Sequence, residues 1–240
     1  LEDYFIDHVL KDRSLKKVEQ SSHGLLKKMG QLFVGLKQIS QKRVVHLDIK
    51  YNNIVLDGKH FKYIDFGLSG ELKDTEHFKN RSFSEFSTKR AYLWYPFEYL
   101  YAVIDGYSKE MELDNFSKRK HFKTGADIHK LFDVQLSSHV KELLSSTKPY
   151  SPKEYQKLVS MVDVYSLGIL IPFLFVEYDL VEYVEQSAFL KDLFKLCRDM
   201  CKLDYKERIT PVECLKRYTQ LMRKYPYMQN TKGKKTMRKK

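Results

Sequence analysis

Two polar motifs separated by a predicted β-hairpin constrain the fold of this chain most strongly. The first motif reads HLDIKYNN from residue 46, and the second reads DFG from residue 65. Between them, short apolar runs flank Asp57-Gly58, and both of these residues tolerate the positive φ of a tight hairpin turn. Because a hairpin returns the chain to the side from which it started, the two motifs are predicted to meet at one edge of the fold.

The motif side chains carry the groups that transfer of a γ-phosphoryl group requires. Such a transfer needs a carboxylate beside the acceptor hydroxyl, and it needs hard oxygen ligands for the magnesium ions that bridge the phosphates. Asp48 can meet the first need, and Asn53 and Asp65 can meet the second. A single Asp in a loop is usually a turn former. The joint spacing of Asp48, Lys50, Asn53 and Asp65 is far more specific than any one of them.

This combination resembles the eukaryotic-type protein kinase family, whose catalytic loop reads His-Arg-Asp-Leu-Lys-x-x-Asn and whose metal-binding motif is Asp-Phe-Gly. The resemblance implies that Asp48 orients and deprotonates the acceptor hydroxyl and that Lys50 contacts the γ-phosphate. It also implies that Asn53 and Asp65 hold Mg²⁺ and, with it, ATP. A Lys two residues after the catalytic Asp is similar to the Ser/Thr-specific members of the family.

Three later segments continue the resemblance in the order that the family shows. Residues 95–98 resemble the Ala-Pro-Glu motif, with Glu98 as its acid. Asp163 begins a predicted central helix, where the family's Asp braces the backbone of the catalytic loop. Arg208 matches a late Arg that pairs with the Ala-Pro-Glu acid, so a partly buried Glu98–Arg208 ion pair is predicted. A helix cap at Asp163 and an ordinary surface base at Arg208 are the alternative interpretations.

Two positions depart from the family pattern. Leu47 stands where the family has an Arg that receives an activation-loop phosphate. Control by such a phosphate is therefore in doubt, although Ser84, Ser87 and Thr88 are candidate acceptors. Ala91 falls near the place of the family's substrate-binding Thr, which puts the usual mode of substrate docking in doubt.

The predicted fold class is α+β: a protein-kinase-like C-lobe, mainly α-helical, with a small β-hairpin at the catalytic loop. This C-lobe would span residues 1–228, with an insertion at about 99–160 that loosely resembles kinases of large DNA viruses. Residues 229–240 are predicted to form a basic, disordered tail. The sequence contains no Gly-rich loop and no Val-Ala-Ile-Lys-like strand. The resemblance therefore implies a partial domain that lacks the N-lobe and is inactive by itself.

Hydrophobic periodicity predicts most of the local structure. Apolar residues at three- and four-residue steps indicate one amphipathic helix from Leu25 to Gln41. Residues 68–90 are polar and are predicted to form a mobile loop. Later helices are predicted at 131–144, 162–176, 189–201 and 211–223.

Composition favours a globular chain inside a cell. Of the 240 residues, 42% are hydrophobic, which is enough for a substantial core. The longest apolar run, residues 168–176, is about half as long as a membrane-spanning helix and contains Pro172, so it is predicted to be a buried core helix. The sequence has three cysteines. Cys197, Cys201 and Cys214 lack the companions of a zinc site and are predicted to be buried thiols in a reducing compartment.

The net charge of +12 comes from 43 basic and 31 acidic residues. Nucleic-acid binding is nevertheless disfavoured, because no recognised binding motif accompanies the charge. The resemblance implies ATP and protein substrates as partners and no membrane association. It also implies a cytoplasmic or nuclear location, in a host cell if the source is viral.

The leading interpretation is a protein Ser/Thr kinase that transfers the γ-phosphate of ATP to protein substrates. The alternative is a pseudokinase-like scaffold that binds protein partners without catalysis. The intact Asp48, Asn53 and Asp65 argue against that alternative.

Overall fold

The computed structural model describes residues 1–87, 93–102, 120–136, 138, 142 and 150–226. This part of the chain is mainly helical and contains two small antiparallel sheets, in which β1 pairs with β4 and β2 pairs with β3. The strands are β1 (Val44–Val45), β2 (Ile54–Asp57), β3 (His60–Tyr63) and β4 (Gly70–Glu71). The helices are α1 (Glu2–Val9), α2 (Leu15–Lys28), α3 (Gly30–Gln41), α4 (Thr75–Ser87), α5 (Phe97–Tyr101), α6 (Lys120–Lys130), α7 (Pro152–Val159), α8 (Val162–Glu177), α9 (Ala188–Met200) and α10 (Pro211–Lys224).

The predicted hairpin forms between the two motifs. Strands β2 and β3 pair in a register that sets Ile54 opposite Tyr63 and Asp57 opposite His60. Gly58 has a φ of +60° in the connecting turn. Glycine is favoured there because it adopts positive φ without a steric penalty. The hairpin prediction is confirmed.

The prediction of one helix from Leu25 to Gln41 is wrong in part, because the helix is interrupted at Met29: residues 25–28 end α2, and α3 spans Gly30–Gln41. Helix α3 approaches α10 closely: a Cβ on Gly30 would lie 2.6 Å from the hydroxyl oxygen of Tyr218. Phe33 stacks on the same ring, with 4.5 Å between ring centroids. Both helices bury an apolar stripe, so periodicity alone could not reveal the interruption.

The loop predicted over residues 68–90 is also wrong in part, because the described portion contains β4 and helix α4. This helix is held by one fully buried aromatic side chain and by hydrogen bonds to α5. Phe78 is fully buried. Ser82 donates to the carbonyl oxygen of Tyr99 at 2.7 Å, and the Tyr99 hydroxyl donates to the carbonyl oxygen of Phe78 at 2.8 Å. Because so few apolar residues anchor α4, its sequence shows no clear helical periodicity. Residues 88–90 of the predicted loop lie outside the described residues.

The central core element is α8, as predicted from its apolar run. The stretch Pro152–Glu177 is long and apolar enough to cross a membrane, but 83% of its most apolar window is buried inside the fold. The helices predicted at 189–201 and 211–223 are confirmed as α9 and α10. The helix predicted at 131–144 is wrong over residues 131–135, which form a turn and irregular backbone. Most of the remainder of that helix and part of the insertion lie outside the described residues, as does the tail at 229–240.

Gly168 allows α8 and α9 to pack in close contact. A Cβ at this position would lie 2.5 Å from the Cβ of Met200 and 3.0 Å from the Sγ of Cys201. Both neighbours are buried, so they have little room to move aside. Gly24 in α2 is the opposite case, because a Cβ there would meet nothing within 4 Å.

We predict that Gly168→Ala lowers the free energy of unfolding by about 1–3 kcal/mol, because the added methyl group overpacks the α8–α9 contact. Gly24→Ala is the matched control and should raise the free energy of unfolding by up to about 1 kcal/mol, because alanine is the better helix former. Urea denaturation of both variants measures the difference. Equal effects of the two substitutions would contradict this account of the core.

Candidate active site

The carboxylate of Asp163 holds the backbone of the loop that precedes Asp48. Its two oxygens accept hydrogen bonds from the backbone nitrogens of His46 at 2.7 Å and Leu47 at 2.9 Å. The alternative of a helix cap is excluded, because α8 has no side-chain cap at its N-terminus and residue 161 occupies the capping position. Asp163 therefore braces the loop, as the resemblance implied.

This brace supports a strained backbone. Leu47 is fully buried and has a φ of +61°, a conformation that costs a non-glycine residue on the order of 1–2 kcal/mol. The hydroxyl of Tyr95 donates to the carbonyl oxygen of Leu47 at 2.5 Å. The backbone nitrogen and the carbonyl oxygen of Leu47 are therefore both hydrogen-bonded, which holds Leu47 in this conformation.

Burial raises the pKa of Asp163, while His46 and the hydrogen bonds from the backbone nitrogens of His46 and Leu47 oppose the rise. A buried carboxylate needs several donors to offset its loss of hydration. The two loop amides supply them, so the loop and the carboxylate stabilise each other.

Three of the four predicted site residues are joined by hydrogen bonds. The Lys50 Nζ lies 3.0 Å from Oδ1 and 2.9 Å from Oδ2 of Asp48. The amide nitrogen of Asn53 donates to Oδ2 of Asp48 at 2.6 Å and to its carbonyl oxygen at 3.0 Å. Asp48 and Asn53 are only 4% and 7% exposed. The Asp48 carboxylate is therefore oriented by two neighbouring donors.

The hairpin carries Asp65 back toward this cluster. The backbone nitrogen of Ile64 donates to the carbonyl oxygen of Asn53 at 3.0 Å, so Asp65 follows a residue bonded to Asn53. Phe66 contacts His46, with 4.4 Å between ring centroids. The two sequence motifs thus meet through the Ile64–Asn53 and Phe66–His46 contacts.

The side chain of Asp65 is exposed. Its Oδ1 accepts a hydrogen bond from the backbone nitrogen of Gly67 at 3.2 Å, and its φ is +61°. Within the described part of the chain, its carboxylate makes no hydrogen bond with Asp48, Lys50 or Asn53. The predicted convergence of all the acidic and amide side chains on one ligand therefore stays a prediction.

The oxygen donors of this site fit a magnesium ion that is shared with phosphates. Among the described residues, no group of three or more His, Cys, Asp or Glu side chains could hold a metal ion by itself. The amide nitrogen of Asn53 faces Asp48, which leaves its Oδ1 as the ligand atom. Asn53 and Asp65 would thus supply a few hard oxygens, and Mg²⁺ commonly completes such a set with water and phosphate oxygens.

The predicted ion pair between Glu98 and Arg208 is confirmed. Arg208 Nη2 binds Oε1 of Glu98, and their side chains are 0% and 2% exposed. The guanidinium also donates to the carbonyl oxygens of Met161 at 3.1 Å and Lys202 at 2.7 Å. Burial raises the pKa of Glu98, and the charge of Arg208 opposes that rise. The pair fastens α5 to the segment before α10.

Sequence reasoning missed two side chains that connect the site to the core. The Ser166 hydroxyl donates to the carbonyl oxygen of Trp94 at 2.6 Å, and the Tyr95 hydroxyl contacts the catalytic loop as described above. The available signal for Ser166 was its polar side chain within the apolar run of α8. Tyr95 carried no signal of its own beyond its place in the Ala-Pro-Glu-like motif.

We predict that Arg208→Ala lowers the free energy of unfolding by about 3–5 kcal/mol, because Glu98 is left charged and buried without its partner. The matched control is Arg217→Ala. Arg217 pairs with Asp199 at 2.6 Å and with Glu213 at 3.0 Å, but its side chain is 37% exposed, so the loss should be about 1 kcal/mol or less. Thermal and urea unfolding of both variants provide the comparison. Losses of the same size would contradict a structural role for the buried pair.

Comparison with known proteins points to the family that the sequence motifs resemble. Residues 2–95 match the family model described as protein kinase domain, and this range includes all four predicted site residues. The chain is 28% identical over 164 residues to serine/threonine-protein kinase prpf4B of Dictyostelium discoideum, covering 60% of this chain and 20% of that protein. It is 34% identical over 79 residues to death-associated protein kinase 2 of Mus musculus, covering 31% of this chain and 20% of that protein.

A third relative is CTD kinase subunit alpha of Saccharomyces cerevisiae, which is 27% identical over 111 residues, covering 45% of this chain and 20% of that protein. The matches thus span about a fifth of the length of these curated relatives. No solved structure matches the chain.

Proposed function

We propose that this chain, which belongs to the eukaryotic-type protein kinase family, is part of a protein Ser/Thr kinase that transfers the γ-phosphate of ATP to protein substrates. The observation that carries the proposal is the buried Asp48 carboxylate oriented by Lys50 and Asn53. Phosphoryl transfer depends mainly on such positioning and on charge stabilisation. The Ser/Thr preference is supported by Lys50 and by the similarity to a serine/threonine-protein kinase of Dictyostelium discoideum.

Each site residue has a defined task in this proposal. Asp48 orients the acceptor hydroxyl and accepts its proton at the carboxylate. Lys50 is close enough to Asp48 to place its ammonium group beside the transferred phosphoryl group. Asn53 and Asp65 would hold Mg²⁺ through their side-chain oxygens. Mg²⁺, when bound, neutralises charge on the phosphates.

The surface of the hairpin supports a nucleotide site beside these residues. Val55 and Ile64 lie on one face of the hairpin. They and Phe66, which follows the hairpin, are large apolar side chains, yet they are 38%, 39% and 47% exposed. An exposed apolar patch next to convergent polar groups is typical of a ligand or partner surface. We propose that the nucleotide, together with the residues that bind its phosphates, covers this patch. The 240 residues contain no Gly-rich loop to bind the phosphates. Alone, they should therefore transfer no measurable phosphate.

We predict that Asp48→Asn and Asp65→Asn each lower magnesium-dependent phosphate transfer by about 100-fold or more, because a proton acceptor or a metal ligand is lost. The assay uses the protein in its full natural length, radiolabelled ATP and a mixture of Ser- and Thr-containing peptides. Asp57→Asn is the matched control: it is the same change in the same hairpin, at an exposed Asp that pairs with Lys62, and activity should be unchanged.

Two results would contradict the proposal. A full-length protein that folds and transfers no phosphate would favour the scaffold instead. Activity that survives both Asp48→Asn and Asp65→Asn would mean that these residues do not form the phosphotransfer site.

A further inference from the structure

A groove lies between helices α1 and α2, and none of the four candidate site residues lines it. Its cavity has a volume of about 620 Å³. Its lining includes Asp7, Lys11, Lys17, Gln20, Gly24 and Lys27. The last four of these are three or four positions apart in α2, which places them on one face of that helix.

The groove has an excess of positive charge. Three lysines line it against one acid, Asp7, which lies 3.7 Å from Lys11. That pair is weak, because both side chains are more than 60% exposed (72% and 62%). Among the described residues, neither Lys17 nor Lys27 has a carboxylate within ion-pair distance. A concave surface lined by one sign of charge attracts ligands of the opposite sign.

The lysines lie at the two ends of the groove. Lys11 lies in the short connection between α1 and α2, and Lys17 lies in the first turn of α2. At the far end, the Nζ of Lys28 lies 5.4 Å from the ring centroid of Tyr4, which places the end of α2 beside the start of α1. Lys27 is therefore at the end opposite Lys17. The floor between them is open at Gly24, where a Cβ would meet nothing within 4 Å.

The distance between the lysines at the two ends of the groove determines which shape of ligand can contact both. Ten helical residues separate Lys17 from Lys27, which corresponds to about 15 Å along the axis. A single phosphate cannot reach both ends. In an extended peptide, side chains at positions i and i+4 point the same way and lie about 13 Å apart. Two acidic side chains with this spacing match the two ends of the groove.

We propose that this groove binds an extended acidic segment of a protein partner, with carboxylates at positions i and i+4 contacting its two ends. This inference does not rest on the proposed kinase activity. The occupant is inferred from charge complementarity and from the spacing of the lysines.

Fluorescence anisotropy with a labelled peptide of sequence EGSGE tests the proposal on the complete chain. The peptide should bind, and the matched peptide QGSGQ should not. The double variant Lys17→Ala/Lys27→Ala should raise the Kd by about fivefold or more, as expected for the loss of two exposed charge contacts. The control is Lys195→Ala/Lys216→Ala, which removes the same charge from exposed lysines of α9 and α10 and should change the Kd by less than about twofold.

Two further variants separate a specific site from general attraction. Asp7→Asn should tighten binding about twofold, because it removes the acid that lines the groove. Gly24→Gln keeps the charge and should abolish binding, because its side chain fills the open floor. Thermal unfolding should show that Gly24→Gln folds as well as the natural chain.

Several outcomes would overturn the proposal. These are no binding of EGSGE, equal losses in the two double lysine variants, or binding that is unaffected by Gly24→Gln. Another such outcome is that a DNA oligonucleotide binds more tightly than the peptide to the natural chain and fails to bind the Gly24→Gln variant. That result would assign the groove to nucleic acid instead. Displacement of the peptide by an equal concentration of inorganic phosphate would also overturn it, because a single anion would then be sufficient.

Discussion

The buried carboxylate of Asp163 is the contact on which the rest of the site depends. It belongs to α8, the most deeply buried helix, and it binds two backbone amides of a loop more than a hundred residues earlier in the chain. The loop has little regular structure of its own, because β1 ends at Val45 and only a short 3₁₀ turn follows at Tyr51–Asn53. Its conformation is therefore imposed by the core, and Asp48 takes its position from that conformation.

The same part of the core also holds the segment around residues 94–98. Ser166, less than one turn after Asp163, binds the carbonyl oxygen of Trp94, and Arg208 binds Glu98. Buried charges are costly, and burial raises the pKa of both Asp163 and Glu98. Buried ion pairs are weak contributors to net stability. We infer that these groups serve chiefly to fix one arrangement of three distant segments around Asp48.

The sequence predicted the parts of this arrangement that local rules govern. The hairpin followed from Asp57-Gly58, and the core helix followed from the apolar run around Gly168. The Asp163 brace and the Glu98–Arg208 pair were predicted only through the resemblance, since no local pattern links residues so far apart. The interruption at Met29, just before Gly30, and helix α4 were missed. In each case, packing against a distant ring or carbonyl oxygen, at Tyr218 or Tyr99, decides the structure.

The central claim is that Asp163 holds the catalytic loop, and amide hydrogen exchange at His46 and Leu47 tests it most directly. Both amides should be strongly protected in the natural chain, because each donates to a buried carboxylate. In Asp163→Asn, which has one acceptor oxygen instead of two, protection of at least one of them should fall by a large factor, while the amides of α9 keep theirs. Unchanged protection at both His46 and Leu47 in the variant would contradict the account.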